Sequence, residues 1–260
     1  MQAKQIVLKN LLVNYYSNNK ASDMSLNLIF LHGWQSDGTV WFSIINAPNL
    51  NDFSIFCIDL PGFGKSQTPE ALFGIGDYSA VIEEFIKKNN LRRVYLVGHS
   101  FGGRIAIKLA AGRPDLIDGL ILVDSAGIKV KTLTISIKNA LAKIGKIVFS
   151  APLIKKARPI FYKLIASEDY LAASPELRSI LVRVVNEDLT PLFGNIKSKT
   201  LIFWGERDKE TPLASAYKMK ESIKNARLEI LKNAGHFSFL DNSGEFVRIL
   251  KQFLFQEDAI

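Results

Sequence analysis

Apolar residues along the chain occur in two arrangements, short continuous runs and longer stretches with helical spacing. Six short runs close on turn-forming residues and are typical of buried strands: LNLIFLHG, FSIFCIDLPG, RRVYLVGHS, DGLILVDSAG, TLIFWGERD and RLEILKN. Near the start, KQIVLKNLLVNYYS holds two further apolar segments around Lys9-Asn10, which predicts an opening β-hairpin.

Helical spacing is found between these runs. In DYSAVIEEFIKK apolar residues recur at helical intervals, and the four predicted helices cover 77–89, 101–112, 212–223 and 245–255. Strands that are apolar throughout and alternate with helices indicate a parallel sheet covered on both faces. We therefore expect an α/β fold with a mostly parallel, eight-stranded sheet flanked by helices.

The alternation is interrupted once, by a long segment that contains no convincing strand. Its helical stretches, such as ISIKNALAKIGKIVF, are separated by prolines at 152, 159, 175 and 191. We predict that residues 128–194 form an inserted helical cap, with 1–127 and 195–260 forming the core.

The formal net charge of +8 is concentrated in the same segment, because residues 128–199 hold 13 Lys or Arg against 5 Asp or Glu. A lysine-rich solvated surface, attraction of anionic substrates and contact with an acidic membrane surface all fit this distribution. Nucleic acid is not expected as a partner, since the chain has no recognised binding motif and few interleaved aromatics.

Other features narrow the class of protein. Cys57 is the single cysteine and stands in an apolar run, which predicts a buried side chain rather than a disulfide or a nucleophile. The absence of a His/Cys cluster or nucleotide fingerprint predicts no metal and no organic cofactor.

DLPGFGKS lacks phosphate-loop spacing, so its glycines are expected to shape a loop near the site. No stretch reaches bilayer-spanning length, and we expect a cytoplasmic protein.

The stretch GHSFGG contains the first candidate for chemistry, Ser100. It lies between a predicted strand and a predicted helix, where Gly98, Gly102 and Gly103 permit a sharp turn that presents the serine above the sheet edge. The start of the following helix offers N–H groups and a positive dipole end to a developing anion. Ser100 is therefore the expected nucleophile.

A serine nucleophile needs a base, and the chain has three histidines. His236 is the expected base because it follows the last predicted strand, where sheets of this kind build their sites. His32 lies beside a loop with another expected role. His99 is directed away from Ser100 by the turn and is interpreted as a packing residue.

The acid that orients the base should follow a strand between the serine and the histidine. Asp208 in LIFWGERDKETP meets this order and is the expected carboxylate. Asp124 in LILVDSAG is the main alternative, with loop bracing as its other possible role, and Glu206 is a weaker third. For the oxyanion of the tetrahedral intermediate, the expected donors are the backbone N–H groups of Trp34 and Phe101.

These motifs, LHGW, DLPGFGKS, GHSFGG, WGERD and NAGHF, resemble those of the α/β-hydrolase superfamily, in the family's order from residue 31 to 237. The resemblance covers the chain outside the insertion and implies a nucleophile at Ser100, an acid at Asp208 and a base at His236. It also implies oxyanion donors at Trp34 and Phe101. Branches with an aspartate nucleophile are excluded by Ser100, and the lipase-type HGGG loop is absent.

Within this superfamily the expected function is a serine hydrolase that cleaves a small carboxylic ester through an acyl-enzyme. One alternative is a hydrolase of carbon–carbon bonds acting on an anionic diketone or dienoic keto-acid, which the basic insertion favours mildly. Another is a small-molecule receptor that retains a hydrolase triad. An interfacial enzyme docking its basic cap on anionic lipid is a fourth.

Overall fold

The computed structural model describes residues 1–18, 20, 26–46, 50, 53–129 and 173–255. Within these ranges the chain forms one eight-stranded sheet in the order β1-β2-β4-β3-β5-β6-β7-β8. The strands are β1 Gln2–Leu8, β2 Leu11–Ser17, β3 Asn27–Leu31, β4 Ser54–Ile58, β5 Val94–His99, β6 Gly119–Val123, β7 Lys199–Gly205 and β8 Ala226–Leu231. The predicted sheet is confirmed.

The first two strands form the predicted hairpin. Lys9 and Asn10 both have positive φ, 47° and 62°, and Leu8 pairs with Leu11 across them. Two central residues with positive φ make the turn whose twist matches that of antiparallel strands. β2 also pairs antiparallel with β4, whereas β3 to β8 run parallel.

Helices cover both faces of the sheet. They are α1 Phe42–Ile45, α2 Ile75–Lys88, α3 Phe101–Gly112, α4 Pro175–Asn186, α5 Leu213–Ser222, α6 Ser238–Asp241 and α7 Ser243–Phe255. Successive side chains of a strand alternate in direction. Accordingly, Leu96 of β5 packs in the core beneath α2, α3 and α5, while its neighbour Val97 packs beneath α1 and α7.

The end of the predicted insertion lies against the core. Ser174 caps α4 by accepting a hydrogen bond from the Leu177 N–H, and a 3₁₀ helix at Thr190–Asn195 precedes β7. Arg183 of α4 donates to the Leu72 carbonyl at 2.8 Å. Residues 130–172, which contain most of the predicted cap and its lysine-rich stretch, lie outside the described residues. The cap therefore remains a prediction.

The expectation for the single cysteine is met. Cys57 is fully buried, and burial raises the pKa of its thiol, which keeps the sulfur protonated and unreactive. In the described part of the chain, the helices are all too short or too polar to cross a membrane.

Candidate active site

The carboxyl ends of the parallel strands meet along one edge of the sheet, and each predicted site residue follows one of these ends. Pairing of Leu31 with Gly98 and of His99 with Val123 brings the ends of β3, β5 and β6 together. The loops after β7 and β8 carry Asp208 and His236 to the same edge. The fold therefore gathers the predicted residues from four separate loops.

Ser100 lies in a strained turn between β5 and α3, with φ 48° and ψ −106°. Residues other than glycine rarely adopt such angles, and holding them costs about 1–3 kcal/mol. Hydrogen bonds on both sides fix the turn, from Ser100 N–H to the Val123 carbonyl at 3.1 Å and from Ala126 N–H to the Ser100 carbonyl at 3.2 Å. The side chain is partly exposed above the sheet edge.

Close backbone contacts account for the glycines around Ser100. A Cβ at position 98 would lie 2.6 Å from the Gly102 carbonyl oxygen, and one at position 102 would collide with the Leu31 carbonyl oxygen. The Gly102 N–H donates to the His32 carbonyl at 3.1 Å. This bond ties the turn to the loop after β3, and the Phe101 N–H beside it is not used in this contact.

Asp208 and His236 are hydrogen-bonded to each other, with Asp208 Oδ2 lying 2.9 Å from His236 Nδ1. Both side chains are sequestered, 0% and 9% exposed. The other oxygen, Oδ1, accepts the N–H groups of Glu210 at 2.8 Å and Thr211 at 3.0 Å, and the Thr211 hydroxyl donates to Oδ2 at 2.5 Å. An ionised carboxylate only accepts, so Nδ1 carries a proton and Nε2 is left with a free lone pair.

The contact between Asp208 and His236 lowers the pKa of the aspartate and raises the pKa of the histidine. Burial alone would raise the pKa of Asp208, but hydrogen bonds from His236 and Thr211 outweigh it and hold the pKa below its usual value. Burial opposes protonation of His236, yet the hydrogen bond and charge of Asp208, together with the charge of Glu210, raise its pKa. The arrangement stabilises the imidazolium that a general base becomes.

A hydrogen bond from His99 links the Ser100 turn to the loop that carries His236. Nε2 of His99, the residue before Ser100, lies 2.8 Å from the backbone carbonyl oxygen of His236. His236 Nε2 lies 3.5 Å from Glu210 Oε2. Within the described ranges no hydrogen bond joins Ser100 Oγ to His236, so the nucleophile–base contact stays a prediction. In unliganded enzymes such contacts are often long.

The loop after β3 is fixed beside Ser100. A Cβ at position 33 would lie 3.6 Å from Ser100 Cβ. The buried His32 ring accepts from Leu60 N–H at Nε2, 3.0 Å away, and donates from Nδ1 to the Gly33 carbonyl at 2.7 Å. Because a peptide unit is planar, fixing the Gly33 carbonyl also fixes the direction of the Trp34 N–H. The two predicted oxyanion donors thus lie on adjacent loops.

Asp124 makes contacts of a different kind from those of Asp208. Its buried carboxylate accepts from Gly205 N–H at 2.7 Å, from Ser238 N–H at 3.1 Å and from the Ser238 hydroxyl at 2.5 Å. Burial, reinforced by the nearby charge of Asp208, raises the pKa of Asp124 to about 7. These contacts brace the loops after β7 and β8. Glu206, the third candidate, accepts from Asn233 N–H at the surface.

The DLPGFGKS loop lies next to the site. Asp59 accepts from Lys65 N–H within the loop at 2.9 Å and from Gly38 N–H, in the connection after β3, at 2.7 Å, so both segments close over its carboxylate. Phe63 packs edge-on against Trp34, and Trp34 packs in the same way against Phe101. An acidic loop centre is unsuited to phosphate, in agreement with the expectation of a shaping role.

Three residues make contacts with Asp208 or His236 that the sequence does not predict. Thr211 and Glu210 follow Asp208 in a turn, where a hydroxyl or carboxylate has no distinguishing periodicity. His99 packs among aromatic rings, as expected, and its additional hydrogen bond to the His236 carbonyl joins residues 137 positions apart. In the described ranges, no cluster of three or more His, Cys, Asp or Glu side chains is placed to hold a metal ion.

Comparison with known proteins agrees with this architecture. The family model described as alpha/beta hydrolase fold matches residues 27–144 and 161–243. The chain is 28% identical to a pimeloyl-[acyl-carrier protein] methyl ester esterase of Wigglesworthia glossinidia brevipalpis, over 88% of this chain and 94% of that protein. It is 25% identical to a 2-hydroxy-6-oxo-6-phenylhexa-2,4-dienoate hydrolase of Comamonas testosteroni, over 96% and 93% respectively.

Among solved structures, a bacterial membrane phospholipase A superposes with a TM-score of 0.80 at 23% identity, covering 100% of this chain and 87% of that one. At this identity the likeness concerns the fold. The family match, by contrast, rests on the sequence and spans most of the chain. The chain therefore belongs to the α/β-hydrolase fold family.

Proposed function

We propose that the protein is a serine hydrolase that cleaves a small carboxylic ester through an acyl-enzyme intermediate. The observation that carries the proposal is the strained Ser100 turn at the start of α3, on the same sheet edge as the hydrogen-bonded Asp208–His236 pair. A strained turn persists only where the surrounding structure enforces it, and such strain is typical of functional positions. No metal or organic cofactor is needed for this chemistry.

The proposed reaction uses the site residues in two half-reactions. His236 Nε2 takes the Ser100 hydroxyl proton as Oγ attacks the ester carbonyl, and Asp208 stabilises the imidazolium formed. The carbonyl oxygen, now negative, accepts hydrogen bonds from the Trp34 and Phe101 N–H groups. Nε2–H then protonates the leaving alcohol oxygen as its bond to the acyl carbon breaks. Water attacks the acyl-enzyme by the same route and releases the acid.

Hydrolysis of carbon–carbon bonds in an anionic keto-acid is the second candidate. The Comamonas relative is named as a hydrolase of a dienoic keto-acid, and the basic charge of 128–199 would attract an anion. The carboxylate of Glu210, however, lies 3.5 Å from His236 Nε2, where it would repel a substrate carboxylate bound near the reacting atoms. We therefore favour an uncharged ester.

A small-molecule receptor is the third candidate. The hydrogen-bonded Asp208–His236 pair and the strained serine count against it, because a receptor does not need an activated base. A receptor would bind a ligand tightly and turn it over negligibly.

Hydrolysis of p-nitrophenyl esters from acetate to decanoate, with wild type beside Ser100→Ala, tests the proposal. We expect serine-dependent turnover with an optimum of chain length. Absence of turnover would contradict the ester assignment. Dienoic keto-acids would then form the next substrate panel, and a ligand-binding screen would test the receptor.

A further inference from the structure

His99, the residue before the proposed nucleophile, makes a hydrogen bond that packing does not require. Its Nε2 lies 2.8 Å from the backbone carbonyl oxygen of His236, and the ring is 1% exposed. A carbonyl oxygen only accepts, so Nε2 carries the proton and donates. The bond joins the end of β5 to the loop that carries the proposed base.

The His99 N–H donor is retained throughout the neutral pH range. Burial, assisted by the nearby His236, lowers the pKa of His99 to about 3. The ring therefore stays neutral with one N–H, and that proton is committed to the His236 carbonyl. Unlike His236, this histidine does not change its charge during turnover.

The opposite side of the ring faces the loop after β3. A Cβ at position 33 would lie 2.8 Å from His99 Nδ1 and 3.1 Å from Cε1, so the absence of a side chain at Gly33 lets the loop pack on the ring. Within the described residues Nδ1 has no hydrogen-bond partner, which leaves this face as a pure contact surface. Aromatic rings of Phe237, Phe239 and Trp41 surround the remainder.

One ring thus touches the loop of the predicted oxyanion donor and the main chain of the proposed base, and it is covalently joined to the proposed nucleophile. We propose that His99 is a positioning residue that sets the distance of His236 and of the Gly33 peptide from Ser100. This inference rests on the proposed function. It predicts that losing the N–H donor impairs the chemical step and leaves substrate binding intact.

Paired substitutions separate the donor from the volume of the ring. The amide nitrogen of His99→Gln is as many bonds from Cβ as Nε2 and can still donate to the His236 carbonyl. His99→Leu cannot donate, and the amide of His99→Asn is one bond too short. We expect kcat to fall by about tenfold or more in the Leu and Asn variants, with KM changed less than about twofold. The Gln variant should retain most of the wild-type kcat.

Phe239→Leu is the matched packing control. Phe239 is fully buried and its ring lies 5.2 Å from that of His99, but it takes no part in the hydrogen bond. We expect it to lower the melting temperature and leave kcat near the wild-type value. If the Leu and Asn variants behave like Phe239→Leu, the positioning role is wrong. Equal loss of kcat in the Gln variant would also overturn it.

The rate of Ser100 labelling by a fluorophosphonate distinguishes failure of this inference from failure of the proposed function. Wild type that is not labelled would contradict the nucleophile assignment and, with it, the role of His99. Wild type that is labelled, with His99→Asn labelled equally fast, would contradict the role of His99 alone. We expect labelling of the Asn variant to be slowed by the same factor as kcat. The polar Asn variant supplies this comparison even if the Leu variant does not fold.

Discussion

Asp208 Oδ2 lies 2.9 Å from His236 Nδ1, while Oδ1 of the same carboxylate accepts two backbone N–H groups. These two donors would hold the oxygen of an asparagine on their side, so Asp208→Asn would turn its NH₂ toward His236. The imidazole would then have to carry its proton on Nε2, where it cannot accept from Ser100. We expect kcat to fall by about 10³–10⁴-fold with the fold retained.

Ester hydrolysis and thermal unfolding of Asp208→Asn check this together. A variant that unfolds near the wild-type temperature but loses less than about tenfold in kcat would show that Asp208 does not set the tautomer. In that case Asp124, the other carboxylate at this edge, would become the candidate to test.

The pH dependence of the rate should follow the titration of His236. A general base must be neutral, and both Asp208 and Glu210 raise the pKa of His236. The rate should therefore rise with pH through a midpoint above about 6.5, the ordinary value for histidine. Measurement of kcat/KM from pH 5 to 9 checks this, and a flat profile between pH 5 and 8 would contradict the assignment of the base.

Removing the charge of Glu210 should move that midpoint. Glu210 Oε2 lies 3.5 Å from His236 Nε2 and its side chain is 66% exposed, so Glu210→Gln should leave the fold intact. We expect the acid limb of the kcat/KM profile to shift to lower pH and the preference for neutral over anionic esters to weaken. Glu221→Gln, an exposed glutamate on α5, is the control. Identical profiles for the two variants would exclude an effect of Glu210.

The strain at Ser100 gives a prediction about stability. Alanine keeps the steric cost of φ 48° and ψ −106°, whereas glycine adopts positive φ without it. Ser100→Gly should therefore be more stable than Ser100→Ala by about 1 kcal/mol, although both are inactive. Denaturant unfolding of the two variants measures the difference. A less stable glycine variant would mean that the turn is not strained.

Much of the fold was predictable because its signals are local. The runs around Phe30, Val97 and Leu122 are apolar throughout, as strands buried on both faces must be, and each ends in a turn. The limits of α2 and α7 were predicted within two residues, because apolar residues keep helical spacing over a long stretch in both helices. The four-residue helices α1 and α6 were missed because one turn has no period to detect.

The site was predictable only as far as strand ends identify it. Ser100, Asp208 and His236 each follow a predicted strand, so parallel order alone places them at one edge. The partner of a carboxylate is not encoded locally. Asp124 and Asp208 both follow strands, and only three-dimensional contacts show that Asp208 meets His236 Nδ1 while Asp124 meets Gly205 and Ser238.

The link between α3 and α4 gives a prediction about local stability. Arg104 is 4% exposed and donates from Nη2 to the carbonyls of Val184, at 2.6 Å, and Glu187, at 2.5 Å, at the end of α4. Burial lowers the pKa of its guanidinium to about 10, which leaves it charged at neutral pH. Arg104→Met should cost about 2–3 kcal/mol, because it leaves these carbonyls without a partner.

Lys108→Met is the control for the charge on the same helix, since the Lys108–Glu187 pair is partly exposed and should contribute less than about 1 kcal/mol. Hydrogen exchange of 175–186 measures the local effect. Faster exchange in the Arg104 variant alone is expected. Equal protection in the two variants would show that α4 does not depend on the buried guanidinium.

Substitutions of His32 test the predicted oxyanion hole, because His32 binds the Gly33 carbonyl, which belongs to the same peptide unit as the Trp34 N–H. Its Nδ1–H holds the Gly33 carbonyl, and its Nε2 accepts from Leu60 N–H. The amide of His32→Asn can replace Nδ1–H but not Nε2, whereas His32→Leu replaces neither. Both variants should lose about 1–3 kcal/mol, because Leu60 N–H is left unpaired in each. Only the Leu variant removes the short bond to the Gly33 carbonyl and leaves the longer one from Ser36 N–H, at 3.4 Å, so we expect its kcat to be about tenfold or more below that of the Asn variant. Equal kcat values in two folded variants would mean that the His32 bond does not orient the Trp34 N–H for the transition state.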